Sequence, residues 1–323
     1  MASGNYHLAS VLLYDPDPSL RHNTRSALLN IGFGDVVAVQ EFGEFLDKAS
    51  SGDFDLVLAD TRASEGDTLS IIQDLRRNLL GKNPFVNIIV SLWDTSPDSV
   101  ASVINSGADD LISRPMSRTH ILERVIRQVE ARKPFIVTTD YVGPDRRQVP
   151  RSYPEGSAMV VPNSLQAKVE NKPEFAATPE TILAALNAVN DRKVAIYTEQ
   201  LMRLSSALLL LSGGFDDIGD REGVAQAMRS ITERLARRIE GTQLAHVISL
   251  CDGLSDLLRN IEKSKAALAE QERELLQQIP LAIQKACQQA QDSASLVFDI
   301  RDVSARLRKR RSRLKATGFS NRA

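Results

Sequence analysis

Residues 54–60 read FDLVLAD, a short apolar run that ends on a carboxylate. Its uninterrupted apolar part, Leu56–Ala59, is too short for a helix and suits a strand covered on both faces. Runs of the same kind occur at Ser10–Tyr14 (SVLLY), Val36–Val39, Asn87–Val90 (NIIV) and Asp110–Ile112. Between and after them lie Pro18–Ile31, Glu41–Ser51, Asp67–Leu79, Pro97–Ser106 and Ser117–Ala131, each with helical length and spacing. Asp17-Pro18 and Ser96-Pro97 set a capping side chain before a proline at the first helical position. Short strands alternating with helices predict βαβ units and a parallel sheet. Residues 8–131 are therefore expected to form an α/β domain with a doubly wound, five-stranded parallel sheet.

In such a sheet, ligands sit outside the carboxyl ends of the strands. The first strand ends at Asp15, the third at Asp60 and the fourth at Ser91, and the fifth runs into Arg114-Pro115. Two carboxylates, a hydroxyl and a cation thus converge on one edge. That set suits a phosphorylatable aspartate: one carboxylate attacks a phosphoryl donor and the other helps to hold Mg²⁺. The hydroxyl and the cation then bind the phosphoryl oxygens.

The stretches VLLYDPDPSLR (11–21), FDLVLADTRASEGDTL (54–69), NIIVS (87–91) and GADDLISRP (107–115) resemble response-regulator receiver domains, the CheY-like family, over about residues 8–131. The resemblance implies a flavodoxin-like fold. It also implies self-catalysed phosphorylation, with a cognate histidine kinase or phosphotransfer protein as partner, and an altered face around the fourth helix, fifth strand and fifth helix. On this resemblance Asp60 is the phosphoacceptor and Asp15 a member of the acidic pocket. Ser91 is the switch hydroxyl, or Leu92 if the following loop carries no insertion, and Arg114 stands where the family has lysine. Leu111 takes the aromatic switch position and, with Pro115, belongs to the switch face.

The departures bear on the metal. Pro16 replaces the second acidic residue, and Asp17 would compensate only with a shifted backbone. The Arg62 carbonyl would face the metal while its own side chain competes for the same charge. A weakened Mg²⁺ site follows. The alternative is a receiver fold without phosphorylation, acting as a protein-interaction adaptor. No enzymatic activity is expected beyond phosphoryl transfer to Asp60.

Residues 132–177 hold Pro134, Pro144, Pro150, Pro154, Pro162 and Pro173 with little periodic pattern, and read as a Pro-rich linker, semi-extended or partly disordered. Within it Tyr141–Arg147 (YVGPDRR) offers Tyr141, Arg146 and Arg147 for docking on an acidic surface, including the pocket above; the alternative is an ordered turn against the fifth helix. From Thr178-Pro179 the pattern is helical. Tyr197, Leu201, Leu204, Leu208 and Leu211 form one heptad-like stripe, and Leu244, Val247, Cys251, Leu254, Leu258 and Ile261 another. Residues 178–307 are thus expected to be an all-α helical bundle or coiled-coil domain, serving output or self-association. Pro280 is expected to kink or restart a last helical region over Lys265–Leu307. His246 and Cys251 read as structural.

Residues 1–7 are read as an N-terminal tail and residues 308–323 as a basic tail. Arg306–Lys315 carries seven basic residues in ten and reads as a solvated helix end, with nucleic-acid or anionic-membrane binding as the alternative. The 40 basic residues nearly balance 41 acidic ones, a formal net charge of −1. Two cysteines can build neither a disulfide framework nor a thiolate zinc site. No apolar run approaches the roughly 20 residues of a membrane span, and the start, MASGNYHLAS, has no secretory pattern, so a cytoplasmic protein is expected.

Overall fold

The computed structural model describes residues 4–63, 65–147, 158–212, 221–264 and 267–289. The chain divides into two compact units, Met1–Val189 and Asn190–Ala323.

The first unit is built on five strands: β1 (Ser10–Tyr14), β2 (Asp35–Val39), β3 (Leu56–Asp60), β4 (Asn87–Leu92) and β5 (Asp110–Ser113). They pair in parallel in the order β2-β1-β3-β4-β5. The helices are α1 (Pro18–Ile31), α2 (Phe42–Ser51), α3 (Thr68–Arg76), α4 (Pro97–Ser106) and α5 (Arg118–Glu130). Successive strand residues point to opposite faces. Val11, Leu13, Leu56, Leu58 and Ile89 pack with Leu28 of α1 and Ile121 and Val125 of α5. Leu12, Tyr14, Val57, Ile88 and Val90 pack with Phe45 of α2, Ile72 of α3 and Val103 of α4. Burial on both faces is why each strand reads as a continuous apolar run.

The segment after α5 departs from its expected form as a semi-extended linker. Its described residues fold onto the domain. β6 (Phe135–Val137), β7 (Val142–Pro144) and β8 (Ala158–Met159) form an antiparallel sheet in the order β7-β6-β8, followed by α6 (Ser164–Val169). Pro144 lies on an edge strand, where a missing N–H costs little. Leu165 and Val169 join the core under α1 and α5. Asn87, the first residue of β4, donates to Asn163 Oδ1 at 2.8 Å, and Asn163 donates to the Gln128 carbonyl at 2.8 Å. The presumed tail also contributes: Tyr6 is buried edge-on against Phe33, with ring centroids 5.4 Å apart.

At the amino ends of the strands sits a buried charge cluster. Arg76 donates to Asp109 Oδ2 at 2.7 Å and to the carbonyls of Gly107, Pro84 and Val86. Arg132 donates to Asp109 Oδ1 at 2.8 Å. Both guanidinium groups lie over the Phe135 ring, 5.2 and 5.0 Å from its centroid. Burial pulls the Arg76 guanidinium down to about 10, against the opposing effect of Asp109, and it stays charged at neutral pH. Gly107 adopts φ 95°, and a Cβ there would meet the Arg76 side chain at 2.8 Å.

The helical unit contains α7 (Pro179–Leu211, which begins in the first unit), α8 (Arg221–Ile239), α9 (Ile248–Lys263) and helical residues 270–289. Val194, Tyr197, Leu201 and Leu208 of α7 share one core with Met228, Leu235, Cys251, Leu254, Leu258, Leu276 and Ile283. The heptad-like stripes therefore close an intramolecular core. A 3₁₀ turn, Ala245–Val247, precedes α9, unlike the sequence reading. Residues 270–289 run helically through Pro280, so the helix does not restart there. Length and composition alone would allow α7 to cross a membrane, unlike the expectation of no such run. Its buried stripe lies in the core just described. Arg306–Lys315 and the rest of residues 290–323 lie outside the described residues.

Candidate functional site

The ends of β1, β3, β4 and β5 bring together Asp15, Asp60, Ser91 and Arg114. Parallel pairing sets Asp60 beside Ser91 in register. Asp15, Asp60 and Ser91 are fully buried, and the Arg114 side chain is 2% exposed. Ser91 thus takes the hydroxyl position, while Leu92 packs into the apolar core.

Arg114 is the centre of the cluster. Its Nε donates to Asp60 Oδ2 at 2.8 Å and to Ser91 Oγ at 3.2 Å. Its terminal nitrogen Nη2 donates to Asp15 Oδ2 and, at 3.1 Å, to Ser91 Oγ. Ser91 Oγ in turn donates to Asp60 Oδ2 at 2.9 Å. The other face of Asp60 belongs to Arg62, whose backbone N–H and Nε donate to Oδ1 at 2.9 and 3.0 Å. Arg62 also approaches Asp15 Oδ1 at 4.0 Å, and its guanidinium lies 4.8 Å from the centroid of Trp93. Two carboxylates are thus matched by two guanidinium groups. Burial pushes the Asp15 carboxyl above the usual carboxylate range, against the pull of Arg114 and of the Asp17 N–H.

Asp17 does not enter the pocket. Its side chain caps α1, accepting from the Ser19 and Leu20 N–H groups at 2.9 and 3.0 Å, and these bonds hold it below the usual range. The Arg62 carbonyl accepts from the Tyr14 hydroxyl at 3.4 Å.

The residues present do not fit Mg²⁺. A hard cation of this size needs an octahedron of oxygen ligands. Here the inner oxygens of Asp15 and Asp60 are bonded to Arg114, Pro16 supplies none, and Asp17 is committed to a helix cap. No group of three His, Cys, Asp or Glu side chains suited to a metal occurs among the described residues. Arg114 thus occupies the Oδ2 atoms of both carboxylates, and Arg62 faces their Oδ1 atoms.

The remaining predicted residues lie apart from this pocket. Leu111 is half-buried on β5, and Pro115 is exposed just beyond it, after a cis Arg114–Pro115 peptide bond. Tyr141, Arg146 and Arg147 are not at the acidic pocket. The Gly143 backbone approaches Gly107, just before β5, at the other end of the sheet. The reason is steric and electrostatic: Tyr141 is buried with its hydroxyl on the Pro144 carbonyl at 2.8 Å, and Arg147 folds back on Asp145 at 3.2 Å. The stacking of Trp93 on Arg62 was not anticipated; a single tryptophan in the loop after β4, beside a strand-end pocket, was the available signal.

Residues 11–126 match the family model of the response regulator receiver domain, so this part of the chain is a receiver domain of two-component signalling. No family matches the C-terminal region. Among solved structures, the chain is similar to the chemotaxis response regulator CheY4 of Vibrio cholerae (23% identity over 37% of this chain and 98% of that one, TM-score 0.34). It is also similar to a CheY-like receiver domain protein from Methanospirillum hungatei (22%, 38% and 93%, TM-score 0.34). A third is the receiver domain of the sensor histidine kinase PA1611 from Pseudomonas aeruginosa, which has a magnesium ion coordinated in its active-site cleft (21%, 37% and 95%, TM-score 0.33). No curated protein matches.

Proposed function

We propose that this chain is a two-component signalling adaptor whose receiver domain works by protein contact, in a conformation fixed by Arg114, and takes no phosphoryl group at Asp60. The observation that carries this reading is the state of the two Asp60 oxygens. Oδ2 accepts from Ser91 and Arg114, and Oδ1 from the Arg62 backbone and side chain. A carboxylate must present a free oxygen to attack phosphorus, and a hard cation normally neutralises the donor. Both requirements meet an arginine here. One buried guanidinium bonded to Asp15, Asp60 and Ser91 instead ties three strand ends together.

Phosphoryl acceptance at Asp60 keeps one supporting observation. Arg62 has a side chain 44% exposed, so its departure would uncover Oδ1. In that reading Ser91 and Arg114 hold the phosphoryl oxygens. A histidine kinase or phosphotransfer protein is the donor, Mg²⁺ assists, and the helical unit changes its contacts or self-association in response.

One experiment separates the readings. The full chain is incubated with acetyl phosphate over a wide range of Mg²⁺ concentrations, and the intact mass is measured beside that of Asp60→Asn. An unchanged mass is expected. A phosphoryl adduct that disappears in Asp60→Asn overturns the adaptor reading.

A further inference from the structure

A cleft of about 140 Å³ opens between the folded extension and the α4–β5 edge of the receiver domain. It falls well short of the roughly 300–1,000 Å³ of small-molecule pockets, but it admits side chains of a partner. Its apolar lining is Ile104 of α4 and Leu111 of β5, both half-buried, with the buried Val103. Lys133, Tyr141 and Arg146 of the extension line it as well.

The charges of the cleft do not balance. Asp109 is held by Arg76 and Arg132, Asp110 by Arg124 and Arg127, and Asp145 by Arg147. Every lining carboxylate therefore has its own arginine. Lys133 and Arg146 have no carboxylate partner among the described residues: Lys133 donates to the Arg147 carbonyl at 3.2 Å, and Arg146 stacks on Tyr141 at 3.4 Å from the ring centroid. Both are exposed. An arginine laid on an aromatic ring is held in place, so little side-chain entropy is lost when an anion docks on it.

We propose that this cleft binds an acidic, leucine-containing segment of a partner protein, with a carboxylate between Lys133 and Arg146 and an apolar side chain on Ile104 and Leu111. Charge complementarity selects the acidic residue, and the apolar lining selects its neighbour. The site does not involve Asp60, so it stands or falls separately from the adaptor reading.

The probe is an acetylated, amidated peptide of sequence EELLEE, titrated into isotope-labelled full chain and followed by amide NMR shifts. Saturable shifts are expected at Val103, Ile104, Leu111 and Lys133, weakening with added salt. Lys133→Gln combined with Arg146→Gln is expected to lower the affinity about tenfold or more. Both side chains are exposed, and an unchanged melting temperature checks the fold. The proposal is overturned if the shifts lie elsewhere or if the uncharged peptide QQLLQQ binds equally well. It is also overturned if the double variant binds unchanged, or if an oligouridine competes for the same residues more tightly than the peptide.

Discussion

The receiver domain carries two buried arginine–carboxylate clusters, one at each end of the same sheet, and they differ in how they are closed. At the carboxyl ends, Arg114 lies between Asp15 and Asp60, and the half-exposed Arg62 covers them from outside. At the amino ends, Arg76 and Arg132 share Asp109, both nearly buried, with Phe135 packed against the two guanidinium groups. The first cluster can be opened from solvent by moving one side chain. The second opens only if the extension lifts off. Similar chemistry thus yields a poised pocket at one end and a structural rivet at the other, and the difference lies in which element provides the lid.

The contrast is broken most severely at the rivet. Arg76→Met leaves Asp109 with Arg132 and the Ile88 N–H and takes the guanidinium donors from the carbonyls of Gly107 and Pro84. Stability should fall by about 5 kcal/mol, read as an earlier urea midpoint of the first unit. Arg114→Met comes next, with a loss of about 3 kcal/mol at pH 8. This deficit should shrink toward pH 5. Burial already raises Asp15 above its unfolded value, so its ionised form is the destabilised one and its contribution improves as pH falls through the raised value. Removing Arg114 takes away the main opposing pull and strengthens that trend. Equal deficits at pH 8 and pH 5 would contradict this account of the pocket.

A gentler test of the lid is Asn163→Ala. It strips the amide that accepts from Asn87 and donates to Gln128, and should cost about 2 kcal/mol with faster amide exchange in β4 and α6. The smallest effect belongs to Arg62→Ala. A half-exposed ion pair is worth less than about 1 kcal/mol, so stability should hardly move while the fluorescence of Trp93, the chain's single tryptophan, changes. A stability loss as large as that of Arg114→Met would erase the distinction between fixed and movable arginine.

The poised pocket was legible in the sequence because its residues sit at strand ends, where a simple topological rule looks for chemistry. Asp15, Asp60, Ser91 and Arg114 all follow from that rule. What the sequence could not show was where Arg114 points, since a lysine-like reach toward a phosphoryl group and a clamp across two carboxylates use the same position. The rivet was missed because Arg76, Asp109, Arg132 and Phe135 come from a helix, two separate loops and a three-residue strand. One sign was present: Arg76 follows Ile72 by four positions on the buried face of α3. The extension was misread for a related reason. Strands of two or three residues are too short for a period to appear, and its prolines are tolerated by edge positions and turns.

Phe135 has a consequence for how such domains can be recombined. The family match ends at residue 126, and a cut there or at residue 131 is the obvious place to splice a receiver onto another output. Such a chimera would lose Arg132 and the ring that seals the Arg76–Asp109 pair, and would open Phe85, whose ring centroid lies 5.9 Å from that of Phe135, to water. The exchangeable cassette in this protein is the sheet together with its extension, about a third longer than the receiver domain alone would suggest.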